Sequence, residues 1–295
     1  MYRDTCVFLL NTMNKIGFNV LAWSAVVSDE LMPIADRLKE IGYDGVECLI
    51  GSPDTTAYHR FGNHARNLGL EVTSVFVAGK DENPISDSAL IRAKGLDRIK
   101  WAIDRAHDMQ AKVICGPFHS AHAVFAHHAP EDREYAWGAK VLHAAGEYAA
   151  QADIVLALEA LNRFECYLCN TMSQLTRLVK EAAHPNVRAM FDTHHANIEE
   201  KKLTAAIHTI SPLLAHVHIS ENDRGTPGDG HIDFDEVFSA LAKINYNGWL
   251  TIEAFSRNDP NFANSIGVWR EYSKPWDIAQ DGLKFIKQMC TTHAL

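Results

Sequence analysis

Short apolar runs rich in β-branched and aromatic residues recur along the chain every 25–40 residues or so, separated by longer amphipathic stretches. That alternation is the signature of βα units feeding a parallel sheet. The candidate strands are KIGFNVLAW from Lys15, GVECL from Gly45, LEVTSVFV from Leu70, KVICGPF from Lys112, IVLALEAL from Ile154, VRAMFDT from Val187, LAHVHIS from Leu214 and WLTIEAF from Trp249. Between them lie helical patterns such as SDELMPIADRLKEIG, where Ser28 reads as an N-cap and Gly42 as a stop. Eight such units predict a single (β/α)8 barrel over residues 13–295, with residues 1–12 as an N-terminal extension. A doubly wound open sheet is the alternative, but the first βα turn lacks G-x-G-x-x-G and no P-loop is present.

The remaining totals exclude whole classes of function. With 37 acidic against 28 basic residues the formal net charge is −9, which repels nucleic acid and anionic membranes. No apolar run approaches the roughly 18 residues that span a bilayer. CVFLL near the start is too short for a secretory core, so a cytoplasmic protein is expected. The six cysteines show no framework spacing, and Cys166-x-x-Cys169 has no second pair to complete a zinc site.

In barrels of this kind the chemistry sits at the C-terminal ends of the strands. The ends of strands five to eight carry Glu159, Asp192, His218 and Glu253, separated by 33, 26 and 35 residues, each about one βα repeat. Charged groups at the end of a buried strand are costly unless paired or bound to a metal. Three oxygen donors and one nitrogen suit an octahedral Mn²⁺, Co²⁺ or Mg²⁺ better than zinc.

Longer strings surround these four residues: LEALNRFE (158–165), FDTHHANIEE (191–200), HVHISENDR (216–224), TIEAF (251–255), GVWR (267–270) and MNKIG (13–17). They resemble the ketose 3-epimerases, the D-tagatose, D-allulose and L-ribulose 3-epimerases of the xylose-isomerase-like TIM barrels. The resemblance implies that Glu159, Asp192, His218 and Glu253 bind the metal. It also implies that Glu159 and Glu253 are the acid/base pair and that Glu165, His195 and Arg224 bind substrate. It implies a homodimer or homotetramer acting on a free ketose such as D-tagatose, D-fructose/D-allulose or L-ribulose. The chemistry is consistent with those residues. Inversion at C3 removes a proton on one face and returns one on the other, which takes two carboxylates and a stabilised enediolate.

The alternatives are an aldose–ketose or hydroxypyruvate-type isomerase of the same fold, a DNA-repair endonuclease and a non-catalytic sugar-binding barrel. The endonuclease would need a basic groove and more ligands for its zinc cluster. GTPGDG after Arg224 lacks the lysine and helix start of a phosphate cradle, which favours a free sugar.

Other side chains carry weaker expectations. Trp23, Phe118 and His119, with His122, are candidate walls of the sugar pocket. His127 and His128 are expected in solvent, and His216, two residues before His218, should pack one layer deeper. Strand parity would place His194 beside Asp192. The family string instead has an aromatic at that position and its histidine at 195, which requires the strand to end near Asp192.

Overall fold

The computed structural model describes residues 14–295. The expected extension over residues 1–12 lies outside them. Eight strands follow in order: β1 Lys15–Asn19, β2 Gly45–Leu49, β3 Glu71–Val75, β4 Val113–Gly116, β5 Val155–Leu158, β6 Val187–Asp192, β7 Leu214–Ile219 and β8 Trp249–Ile252. Each pairs with the next in parallel, and β1 pairs with β8 to close the barrel. The open-sheet alternative is excluded, because closure leaves no sheet edge. Most of the core lies between the barrel and its ring of helices; Val75, Cys115, Ala157 and Met190 form a smaller cluster.

Local chemistry sets where elements begin and end. Ser28 caps the first helical turn by accepting the Glu30 N–H, and Gly42 stops helix Met32–Ile41 in the left-handed region at φ 108°. β1 is shorter than its apolar run, because the Asn19 side chain accepts the Leu21 N–H and turns residues 20–22 into a 3₁₀ helix. β6 stops at Asp192, whose Oδ1 accepts the His195 N–H and caps helix Thr193–Glu199. Parity is therefore broken where the DTHH string requires.

One register shift matters for the site. Ala189 pairs with Leu214, but Met190 pairs with His216, so β7 carries one extra residue there. The bulge sets Asp192 directly opposite His218. Without it every later side chain of β7 would face the other way.

Candidate active site

Four strand ends converge at one rim of the barrel. Glu159 follows β5, Asp192 ends β6, His218 lies near the end of β7 and Glu253 follows β8. Their ligand atoms lie within 4.8 Å of one another, and all four residues are buried. Hydrogen bonds from the neighbouring strands hold two of them: Glu159 N–H donates to the Gly116 carbonyl, and Glu253 N–H to that of Ile219. Gly116 adopts φ 121°, and a Cβ there would sit 2.5 Å from the Phe76 carbonyl oxygen.

The donor set fits a hard divalent cation. Glu159 Oε1 and His218 Nδ1 are buried without a hydrogen-bond partner among the described residues. His218 Nδ1 stands 3.6 Å from Asp192 Oδ2 and 3.5 Å from Glu253 Oε1. Those separations are too long for hydrogen bonds and match separate ligands around a shared centre. Burial, with Glu253 and Asp192 close by, pushes the Glu159 carboxyl well above its usual range. Burial acts on Asp192 in the same direction, but Arg224, His195 and His218 outweigh it and hold that carboxyl far below. Arg224 pairs with Asp192 and Glu253 but not with Glu159.

Arg224 ties the rim together. Its guanidinium donates to Glu253 Oε2 at 2.8 Å, Asp192 Oδ2 at 3.4 Å and Ser220 Oγ at 2.9 Å, and it lies over the Phe255 ring. Its Nη2 is 2.8 Å from His195 Nε2. The backbone N–H of Asn162 can only donate, and it points at His195 Nδ1 from 3.1 Å. The Arg224 guanidinium also only donates, so each ring nitrogen of His195 faces a donor. Burial and the neighbouring Arg224 lower the His195 pKa to about 3, so the ring is neutral near pH 7. The Arg224 guanidinium, seated against His195 Nε2, is the fixed donor group beside the ring. Glu165 is held by the Asn162 side chain at 2.8 Å and faces His122 at 3.3 Å.

Glu159, Glu165, His195, Arg224 and Glu253 line a cavity of about 240 Å³, together with Leu21, Leu49, Val75 and Val77 from the ends of β1 to β3. The cavity is charged on the β5–β8 side and apolar on the other. Phe262, Ile266, Val268 and Tyr272, from the segment after β8, also line it.

Three expected wall residues lie elsewhere. Trp23 packs between Phe18 and Trp276, Phe118 packs on Phe76, and neither lines the cavity. His119 is buried beneath the rim, with Nε2–H donating to the Glu159 carbonyl at 2.9 Å. His122 does line the cavity, as does His194, whose Nδ1–H donates to the Glu221 carbonyl at 3.0 Å. His216 is fully buried one layer deeper. Asn162 and Glu47 were not singled out from the sequence. Glu47 had a readable signal: a charged residue in the middle of GVECL has to find buried partners.

The xylose isomerase-like TIM barrel family matches residues 35–289. The D-psicose 3-epimerase of Agrobacterium fabrum is 30% identical over 271 residues, covering 90% of this chain and 93% of that protein. A solved L-ribulose 3-epimerase superposes with a TM-score of 0.89 at 28% identity, covering 96% of each chain. The D-allulose 3-epimerase of Methylomonas sp., solved in complex with D-allulose, gives 0.87 at 28% identity over 94% of this chain and 98% of that one. The chain therefore belongs to the xylose isomerase-like TIM barrels and, among them, to the ketose 3-epimerases, enzymes of the isomerase class.

Proposed function

We propose that the protein interconverts free, non-phosphorylated ketoses that differ in configuration at C3, using one divalent cation, Mn²⁺ by preference over Co²⁺ or Mg²⁺. The observation that carries this reading is the buried pair Glu159 and Glu253, brought to one cavity from strands that are not adjacent in the barrel. Glu159, Asp192, His218 and Glu253 hold the cation, and when bound it supplies Lewis acidity to the ketose carbonyl.

The protein's own groups do the rest. One glutamate removes the C3 proton and the other returns a proton on the opposite face, with their roles exchanged for the reverse reaction. Negative charge that develops on the C2 oxygen meets the Arg224 guanidinium, a donor already fixed by Ser220, Glu253 and His195. Glu165, fixed by Asn162 and His122, accepts a hydrogen bond from a hydroxyl of the sugar. The names of the relatives support the same chemistry.

The test is hydrogen exchange in D₂O with Mn²⁺ present and D-fructose, D-tagatose and L-ribulose run side by side. Deuterium at C3 and appearance of the C3 epimer are expected. Exchange at C1 with aldose formation, and none at C3, would replace this reading with an aldose–ketose isomerase.

A further inference from the structure

Glu47 ends no catalytic list above, yet it is the most heavily coordinated carboxylate in the molecule's interior. It lies in β2, fully buried, one layer below the rim. Oε1 accepts from His218 Nε2 at 2.7 Å and from Asn19 Nδ2 at 3.1 Å. Oε2 accepts from Thr73 Oγ1 at 2.8 Å and from Cys115 Sγ at 3.2 Å. His216 Nε2 stands 2.9 Å from Oε2 but off the line of a hydrogen bond. Four other strands thus send side chains to one anion. Burying a carboxylate this deeply is strongly unfavourable without such partners, and a neutral residue of the same size would pack at lower cost.

Two of those partners lead directly to the rim. The bond to Glu47 occupies His218 Nε2, which keeps that nitrogen protonated and leaves Nδ1 facing Asp192 and Glu253. The same Asn19 amide that reaches Glu47 also reaches Glu253 Oε1 at 3.3 Å. One buried anion therefore orients two of the four ligands, on β7 directly and on β8 through Asn19.

We propose that Glu47 is a positioning residue for the cation site: it fixes His218 with Nδ1 as the ligating nitrogen and, through Asn19, sets the rotamer of Glu253. The inference rests on Glu159, Asp192, His218 and Glu253 forming the cation site. A ligating histidine whose other nitrogen donates to a carboxylate is a stronger base and loses less freedom on binding. Loss of such a partner weakens metal affinity by about 10–100-fold. In Glu47→Gln the amide can turn its NH₂ toward His218 Nε2. That would move the imidazole hydrogen to Nδ1, where a cation cannot bind.

The experiment is calorimetric titration of metal-free wild type and E47Q with Mn²⁺, with circular dichroism to show that the barrel persists. The expected result is a Mn²⁺ dissociation constant raised about 10–100-fold in E47Q, in line with lost outer partners of metal ligands. A folded E47Q that binds Mn²⁺ within about twofold of wild type overturns the inference and leaves the cation site standing. Wild type that binds no Mn²⁺ overturns the cation site itself, and this inference with it. A second measurement needs no variant: Co²⁺-loaded wild type should show one hyperfine-shifted imidazole N–H proton protected from solvent exchange. Absence of that resonance means Nε2 is not the protonated nitrogen and also overturns the inference.

Discussion

Arg224 shows how much a single residue is made to do. Its backbone sits at φ 65°, a conformation that costs a non-glycine residue about 1–3 kcal/mol. The surroundings hold it there: its N–H donates to the Glu221 carbonyl and its own carbonyl accepts the Phe255 N–H. The guanidinium then spans Glu253, Asp192, Ser220 and His195 with two nitrogens. A lysine ammonium cannot reach these groups at once from a single point charge. Arg224→Lys should therefore keep the fold and lower kcat/KM by about 10²-fold or more, the range for losing one preorganised donor to a developing oxyanion. Steady-state kinetics at saturating Mn²⁺ check this, and near-wild-type kcat/KM would remove Arg224 from that role. His194, which stands where the resembling family has an aromatic, lines the cavity but spends Nδ1–H on the Glu221 carbonyl. Its effect is on the shape of the cavity and on the loop that carries Arg224.

At the scale of elements, the turns that follow the strands decide which side chains reach the cavity. Gly116 at the end of β4 is an example: its left-handed φ lets its carbonyl accept the Glu159 N–H at 3.0 Å while its Cα hydrogen faces the Phe76 carbonyl. Gly116→Ala adds a methyl 2.5 Å from that oxygen and should destabilise the barrel by about 1–3 kcal/mol. It should also weaken Mn²⁺ binding, because Glu159 is displaced. Thermal unfolding and Mn²⁺ titration read the two effects separately, and an unchanged Tm would count against the strain argument. The same turn carries Phe118 onto Phe76 and His119 beneath Glu159, which is why residues close to a strand end in sequence are missing from the cavity wall. Asp192 performs two jobs for a similar reason: it closes β6 and caps the next helix with Oδ1, leaving Oδ2 toward His218 and Arg224.

For the whole molecule, the barrel concentrates buried negative charge around its axis, at and just below one rim. Glu47, Glu159, Asp192 and Glu253 are all buried, and Arg224 is the cation that touches the rim carboxylates. A divalent cation held there would relieve that repulsion in the folded state and would find no such site in the unfolded chain. At a Mn²⁺ concentration 100 times its dissociation constant the expected stabilisation is about 2.7 kcal/mol. For a chain of 295 residues that is a rise in Tm of roughly 4 °C. Thermal unfolding with Mn²⁺ and then with excess EDTA checks it; a Tm indifferent to both would argue against a resident cation. No helix among the described residues is long and apolar enough to cross a membrane.

The sequence alone determined the barrel and the four rim residues, because both are one-dimensional signals. Strand–helix periodicity survives in any linear reading, and Glu159, Asp192, His218 and Glu253 each mark the end of an apolar run one repeat after the last. The DTHH string was legible only through the resembling family string, which requires the strand to end near Asp192; the structure supplies the reason, the Asp192 side chain capping the next helix. Tertiary structure alone decided what those residues touch. Trp23 left the cavity for Trp276, more than 250 positions away, a partner no local pattern announces. The bulge in β7 that aligns Asp192 with His218 depends on the pairing of two strands, not on either one. Glu47 became the anchor of His218 only when closure of the barrel brought β2 across from β7. Periodicity tells which face of an element is buried, but only the packed barrel tells which buried groups meet.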